Sequence, residues 1–95
     1  MDIQNEIAKR IELYQGNLSL ATGKTPFAVI YITSGLNTLQ NINFKNLKDV
    51  IAEKEPTVRH LQKKSYKSDE RHLKWLIAVA EIQELIFVRD KLRLQ

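Results

Sequence analysis

Apolar residues recur along this chain at helical spacing. Ile3, Ile7, Ile11 and Tyr14 are separated by 4, 4 and 3 positions, with Glu6, Lys9, Arg10 and Glu12 outside their stripe. That pattern predicts a helix over 2–14, with Asp2 as N-cap and Gly16 just past its end. Leu13 falls off the stripe, where it can touch a neighbour.

Residues 25–42 are harder to read. "FAVIYIT" has the β-branched and aromatic content of a strand, and Gly23-Lys24 would suit a hairpin turn. Placed at 100° steps, however, Ala28, Tyr31, Ile32, Gly35, Leu36, Leu39 and Ile42 fall on one arc. Thr33, Ser34, Asn37, Thr38, Gln40 and Asn41 fall on the other, and only Ile30 is out of place. "AVIYI" does not alternate as a half-buried strand would, and Thr25-Pro26 reads as an N-cap followed by proline at the first helical position. The expectation is a helix.

Residues 43–64 predict two short helices. One is capped by Asn46 and turns Leu47, Val50 and Ile51 inward. Pro56 then interrupts the backbone bonding, and a second piece is anchored by Val58 and Leu61. Ser68 is a good N-cap for the last helix, with Asp69 and Glu70 in its first turn. This helix runs from about 69 to 94, or roughly 38 Å at 1.5 Å per residue.

The last helix carries two apolar seams. One comprises Leu73, Leu76, Ile77, Ala80, Phe87, Val88 and Leu94. The other is Trp75, Val79, Ile82 and Ile86, spaced 4, 3 and 4. A surface helix needs one stripe, so the second is either covered by the chain's other helices or is an interface with a second copy or a partner; the expectation is an interface, and a homo-oligomer through it. At 95 residues the chain has room for one domain, 1–95. The expected class is all-α: a small irregular helical bundle of four to five helices with a long C-terminal helix.

Composition narrows the chemistry. There is no cysteine, so disulfides, thiolate metal sites and cysteine nucleophiles are excluded. The two histidines, His60 and His72, lack the spacing of metal ligands, and no cofactor or metal is expected. The longest apolar run, "FAVIYI", is too short to span a bilayer, and the polar N-terminus lacks the core of a signal peptide. The reading is a cytoplasmic, non-membrane protein. Gly23-Lys24-Thr25 resembles the tail of a phosphate-binding loop. The glycine such a loop needs five positions before Gly23 is Leu18, and a helix rather than a strand precedes it, so the segment reads as an inter-helix turn. Glu70 and His72 read as a solvated first turn. Glu81 and Glu84 share a helix face, where they read as surface charge. No nucleophile stands in a catalytic context, and an enzyme is not expected.

Charge is the remaining signal. The chain carries +4, and residues 59–75 carry all of it: Arg59, Lys63, Lys64, Lys67, Arg71 and Lys74 stand against Asp69 and Glu70. Tyr66 lies among the lysines. Cations of this density neutralise phosphates, and an aromatic ring can stack on an unpaired base. The two short helices before it have the outline of a helix-turn-helix, though with Pro56 in place of the usual turn glycine. The expectation is a small nucleic-acid-associated regulator or accessory factor, with DNA or RNA as ligand. The rival is an adaptor, inhibitor or structural subunit, of viral or mobile-element type, that meets a heterologous protein through the C-terminal helix.

Overall fold

The computed structural model describes residues 2–21, 23 and 25–93. Among these, four α-helices and two 3-10 turns account for the regular structure. They are α1 (Ile3–Ala21), α2 (Pro26–Gln40), α3 (Leu47–Lys64) and α4 (Asp69–Arg93), with the 3-10 turns at Phe44–Asn46 and Ser65–Lys67. The ambiguous segment 25–42 is a helix. Leu94 and Lys24 lie outside the described residues.

Local chemistry starts the helices where the sequence suggests. Asp2 Oδ1 accepts from the Gln4 N–H (2.9 Å). Thr25 is extended, its hydroxyl accepts from the Ala28 N–H (3.4 Å), and Pro26 supplies its fixed φ in the first turn. Ser68 is extended, and its hydroxyl accepts from the Arg71 N–H (3.2 Å). Gly23 has φ +87°, a left-handed conformation that favours glycine, and lets the chain reverse between α1 and α2.

Three local expectations are corrected. Helix α1 does not stop at Gly16 but continues to Ala21. A glycine inside a helix costs only about 1 kcal/mol, and half-buried Leu18 extends the stripe of Ile3, Ile7, Ile11 and Tyr14 by one more turn. Pro56 does not divide residues 47–64; it lies inside the single helix α3. Residues 43–64 therefore hold no helix-turn-helix. Asn46 makes no side-chain cap for α3; Asn43 instead caps the preceding 3-10 turn, accepting from the Lys45 N–H (3.0 Å).

Helix α4 is the organising element, because it packs against α1, α2 and α3 alike, whereas α3 packs against no other α-helix. Arg10 meets Glu84 and Glu6 meets Lys91, so α1 and α4 are antiparallel. Phe27 meets His72 near both N-termini, so α2 and α4 run the same way. The core gathers Ile7, Leu39, Leu47, Ile51, Leu85 and Val88, with Tyr14, Ile86 and Phe87 at its edge. It sits over the C-terminal half of α4. Burying side chains of this size contributes roughly 1.5–3 kcal/mol each. The other end of α4 and the C-terminal half of α3 form a hairpin arm, flanked on α4 by the start of α2, with no fully buried side chain between residues 52 and 79.

Candidate nucleic-acid interface

The arm carries the basic segment. Arg59, Lys63 and Lys64 lie on the last turns of α3, Lys67 and Tyr66 on the 3-10 turn at its tip, and Arg71 and Lys74 on the first turns of α4. All seven are exposed, Tyr66 at 81%. The helical hairpin brings them together for a simple reason. Val58 and Leu61 are the half-buried positions of this part of α3, so Arg59, Lys63 and Lys64 take the outward arc. Of the six cations, only Lys74 has an acidic neighbour, Glu70 at 3.4 Å along the same helix. Arg59, Lys63, Lys64, Lys67 and Arg71 make no ion pair among the described residues. An exposed cation without an acidic partner keeps its full charge available to a polyanion.

The second sequence-predicted group fares differently. Trp75, Val79, Ile82 and Ile86 do share one face of α4, but the chain itself covers that face. Ile82 is only 7% exposed, Ile86 packs against the core, and Trp75 and Val79 are half-buried. A helix with two apolar seams is here a central helix with neighbours on several sides. The seam is therefore not free as a whole to meet a partner.

Two further residues depart from expectation. His72 is not solvated. It is half-buried, with its ring 5.1 Å from that of Phe27 and 5.6 Å from that of Trp75. Glu84, expected on the surface, is fully buried, and the Arg10 Nε–H donates to both of its oxygens at 2.5 and 2.9 Å. The Arg10 guanidinium lies 4.3 Å from the centre of the Phe87 ring. The pair holds the Arg10 guanidinium above its ordinary pKa, the hydrogen bond to Glu84 being the main cause. Burial, and then the neighbouring Glu84 carboxylate, push the Tyr14 phenol well above its ordinary pKa. Tyr14 in turn fills the space over Gly35, where an added Cβ would stand 2.9 Å from the ring. A bare carboxylate inside the core would be strongly unfavourable, so Arg10 is the residue that lets Glu84 stay there. The cluster joins α1 to α4 and holds both charges in partnership.

Two clefts flank α4. One, of about 410 Å³, lies between α3 and α4 and is lined by Val50, Thr57 and Ile77; the Lys54–Glu81 ion pair (2.8 Å) lies at it. The other, of about 330 Å³, lies between α2 and α4 and is mainly apolar, with Phe27, Tyr31, Ile32 and Leu76 in its wall. Among the described residues, no three histidines or carboxylates gather as metal ligands, and no helix is long and apolar enough to cross a membrane. The chain matches no known protein family, no curated protein and no solved structure.

Proposed function

We propose that this chain is a non-enzymatic nucleic-acid-binding protein that presents the tip of its α3–α4 hairpin to a phosphate backbone. The observation that carries the reading is the set Arg59, Lys63, Lys64, Lys67 and Arg71. These are five exposed cations without an acidic partner among the described residues, gathered in the segment 59–75, whose net charge equals that of the whole chain. Continuity of α3 through Pro56 favours contact by a basic helical face and tip over insertion of a separate recognition helix. Tyr66, at the tip, offers a ring to an unpaired base.

Fluorescence anisotropy with labelled single- and double-stranded DNA and RNA tests the proposal. Log affinity falls linearly with log salt, by roughly 0.7–0.9 per phosphate neutralised. Changing Lys63 and Lys64 together to alanine makes that slope shallower by up to about two such steps. Tyr66→Ala weakens single-strand binding by roughly 1–3 kcal/mol and leaves the salt slope unchanged. Circular dichroism of each variant matches the parent, because the altered side chains are exposed. Absence of micromolar binding at low salt to all four nucleic acids overturns the proposal in favour of a protein partner.

A further inference from the structure

The cleft between α3 and α4 carries polar groups that the fold leaves uncommitted. It holds about 410 Å³, within the roughly 300–1,000 Å³ of small-molecule sites. Val50, Ile77 and Ala78 give it an apolar wall, and the Lys54–Glu81 pair (2.8 Å) neutralises itself. Glu53 and Thr57 also line it. Both are exposed, and among the described residues neither side chain has a hydrogen-bond or ion-pair partner. A helical threonine commonly donates its hydroxyl to the carbonyl four residues back, as Thr38 does to Ser34 (2.9 Å). Thr57 makes no such bond. Its hydroxyl and the Glu53 carboxylate stand about 6 Å apart along α3, one turn from each other. One is a free donor and the other a free double acceptor. Lys74 lines the same cleft and belongs to the basic segment, so cleft and segment are continuous.

We infer that this cleft seats an unpaired guanine of a single strand whose phosphates lie on the basic segment; the inference rests on the nucleic-acid reading above. The pairing edge of guanine presents the N2 amine, the N1–H and the O6 carbonyl in that order, two adjacent donors and then an acceptor. The Glu53 carboxylate accepts both parallel N–H groups, and the Thr57 hydroxyl, one turn on, donates to O6. Cytosine and adenine each set a ring-nitrogen acceptor beside their amine. Uracil and thymine hold their one N–H between two carbonyls. A carboxylate therefore meets a lone pair on all of these. An arginine side chain offers two parallel donors as well, but it has no acceptor for Thr57, and the surrounding cations repel it. The apolar wall takes the flat face of the base, and Lys74 neutralises the adjoining phosphate.

Glu53 has the opposite effect on the backbone. A carboxylate beside phosphates repels them, so it weakens the binding of any strand and offsets that loss only where guanine is present. Its charge contributes selectivity at the expense of general affinity.

Fluorescence anisotropy tests the inference with labelled oligouridine and oligothymidine that carry, at one central position, the parent base, guanine, adenine, cytosine or hypoxanthine. Guanine raises affinity over the parent strand by roughly five- to a hundredfold, the range of one good bidentate contact. Adenine and cytosine raise it much less. Hypoxanthine keeps N1–H and O6 but lacks the N2 amine, and it falls between. Glu53→Gln acts in two directions: it binds the parent strand more tightly and loses most of the preference for guanine. Thr57→Val lowers the preference and leaves affinity for the parent strand unchanged. Lys63 and Lys64 changed together to alanine weaken every probe alike and leave the preference intact. Circular dichroism of the variants matches the wild type, since Glu53 and Thr57 are exposed, and the hypoxanthine comparison needs no variant. Equal affinity for all bases, with the salt slope and the Lys63 and Lys64 effect present, overturns the inference and leaves the basic segment as a phosphate-binding surface. So does a guanine preference that survives both Glu53→Gln and Thr57→Val. Absence of binding to every probe overturns the reading of the basic segment and this inference with it.

Discussion

The Arg10–Glu84 pair decides more about this fold than any single apolar contact. Glu84 is fully buried, and its carboxylate is tolerable because the Arg10 Nε–H reaches both oxygens, with the Tyr14 phenol beside it. Removing the arginine while keeping the acid leaves an uncompensated charge, and Arg10→Met is expected to destabilise the protein by about 3 kcal/mol. Replacing both residues, Arg10→Met with Glu84→Leu, removes the charge together with its partner. That double variant is expected to lie within about 1 kcal/mol of the wild type. Urea unfolding of the wild type, Arg10→Met, Glu84→Leu and the double variant measures the coupling. Single and double variants that lose the same stability would show that the apolar contacts of the two side chains, and not their charges, matter here. Nothing in the order of residues announces this pair. Arg10 sits beside an amphipathic stripe and Glu84 three positions from Glu81, so both read as surface charges. They are 74 positions apart, and only the packing of α1 along α4 joins them. The caps at Asp2, Thr25 and Ser68 were legible for the opposite reason, because each acts on the helical turn that follows it.

At the scale of the element, the helical period was the dependable signal and the helix breakers were the misleading ones. Segment 25–42 reads as β-rich by composition and helical by period, and the period decided it, since tertiary burial follows which side chains share a face. Gly16 and Pro56 suggested ends that do not exist. In α1 the continuing burial of Leu18 outweighs the modest intrinsic penalty of a glycine. In α3 the packing of Leu47 and Ile51 at one end, and of Val58 and Leu61 at the other, keeps the helix continuous across a proline. That proline cannot donate to the carbonyl four residues earlier, and its ring crowds the same carbonyl. Pro56 is exposed, so it offsets none of this by burial. Pro56→Ala is therefore expected to raise stability by about 1–3 kcal/mol, read as a higher urea midpoint with unchanged dependence on denaturant. A midpoint that falls would mean that the proline ring makes a contact α3 depends on. The segment is also the base of the basic arm, so the same variant shows whether nucleic-acid affinity depends on the local shape of α3.

For the whole molecule, the core and the basic segment lie at opposite ends of α4. The core gathers over its C-terminal half, whereas Arg59, Lys63, Lys64, Lys67, Arg71 and Lys74 stand where α3 turns into the start of α4. Under the proposed function, the surface that meets phosphates is therefore separate from the contacts that hold the fold, and affinity and stability are expected to vary independently. Changing Lys63 and Lys64 together to alanine lowers nucleic-acid affinity and leaves the urea midpoint unchanged, because both side chains are exposed. Arg10→Met does the reverse: it lowers the midpoint and, under conditions in which the variant is still folded, leaves affinity and salt slope unchanged. Urea unfolding and anisotropy titrations of both variants measure the four quantities. A folded Arg10→Met that binds nucleic acid more weakly would show that the packing of α1 on α4 reaches the basic segment, and that the two ends of α4 are coupled.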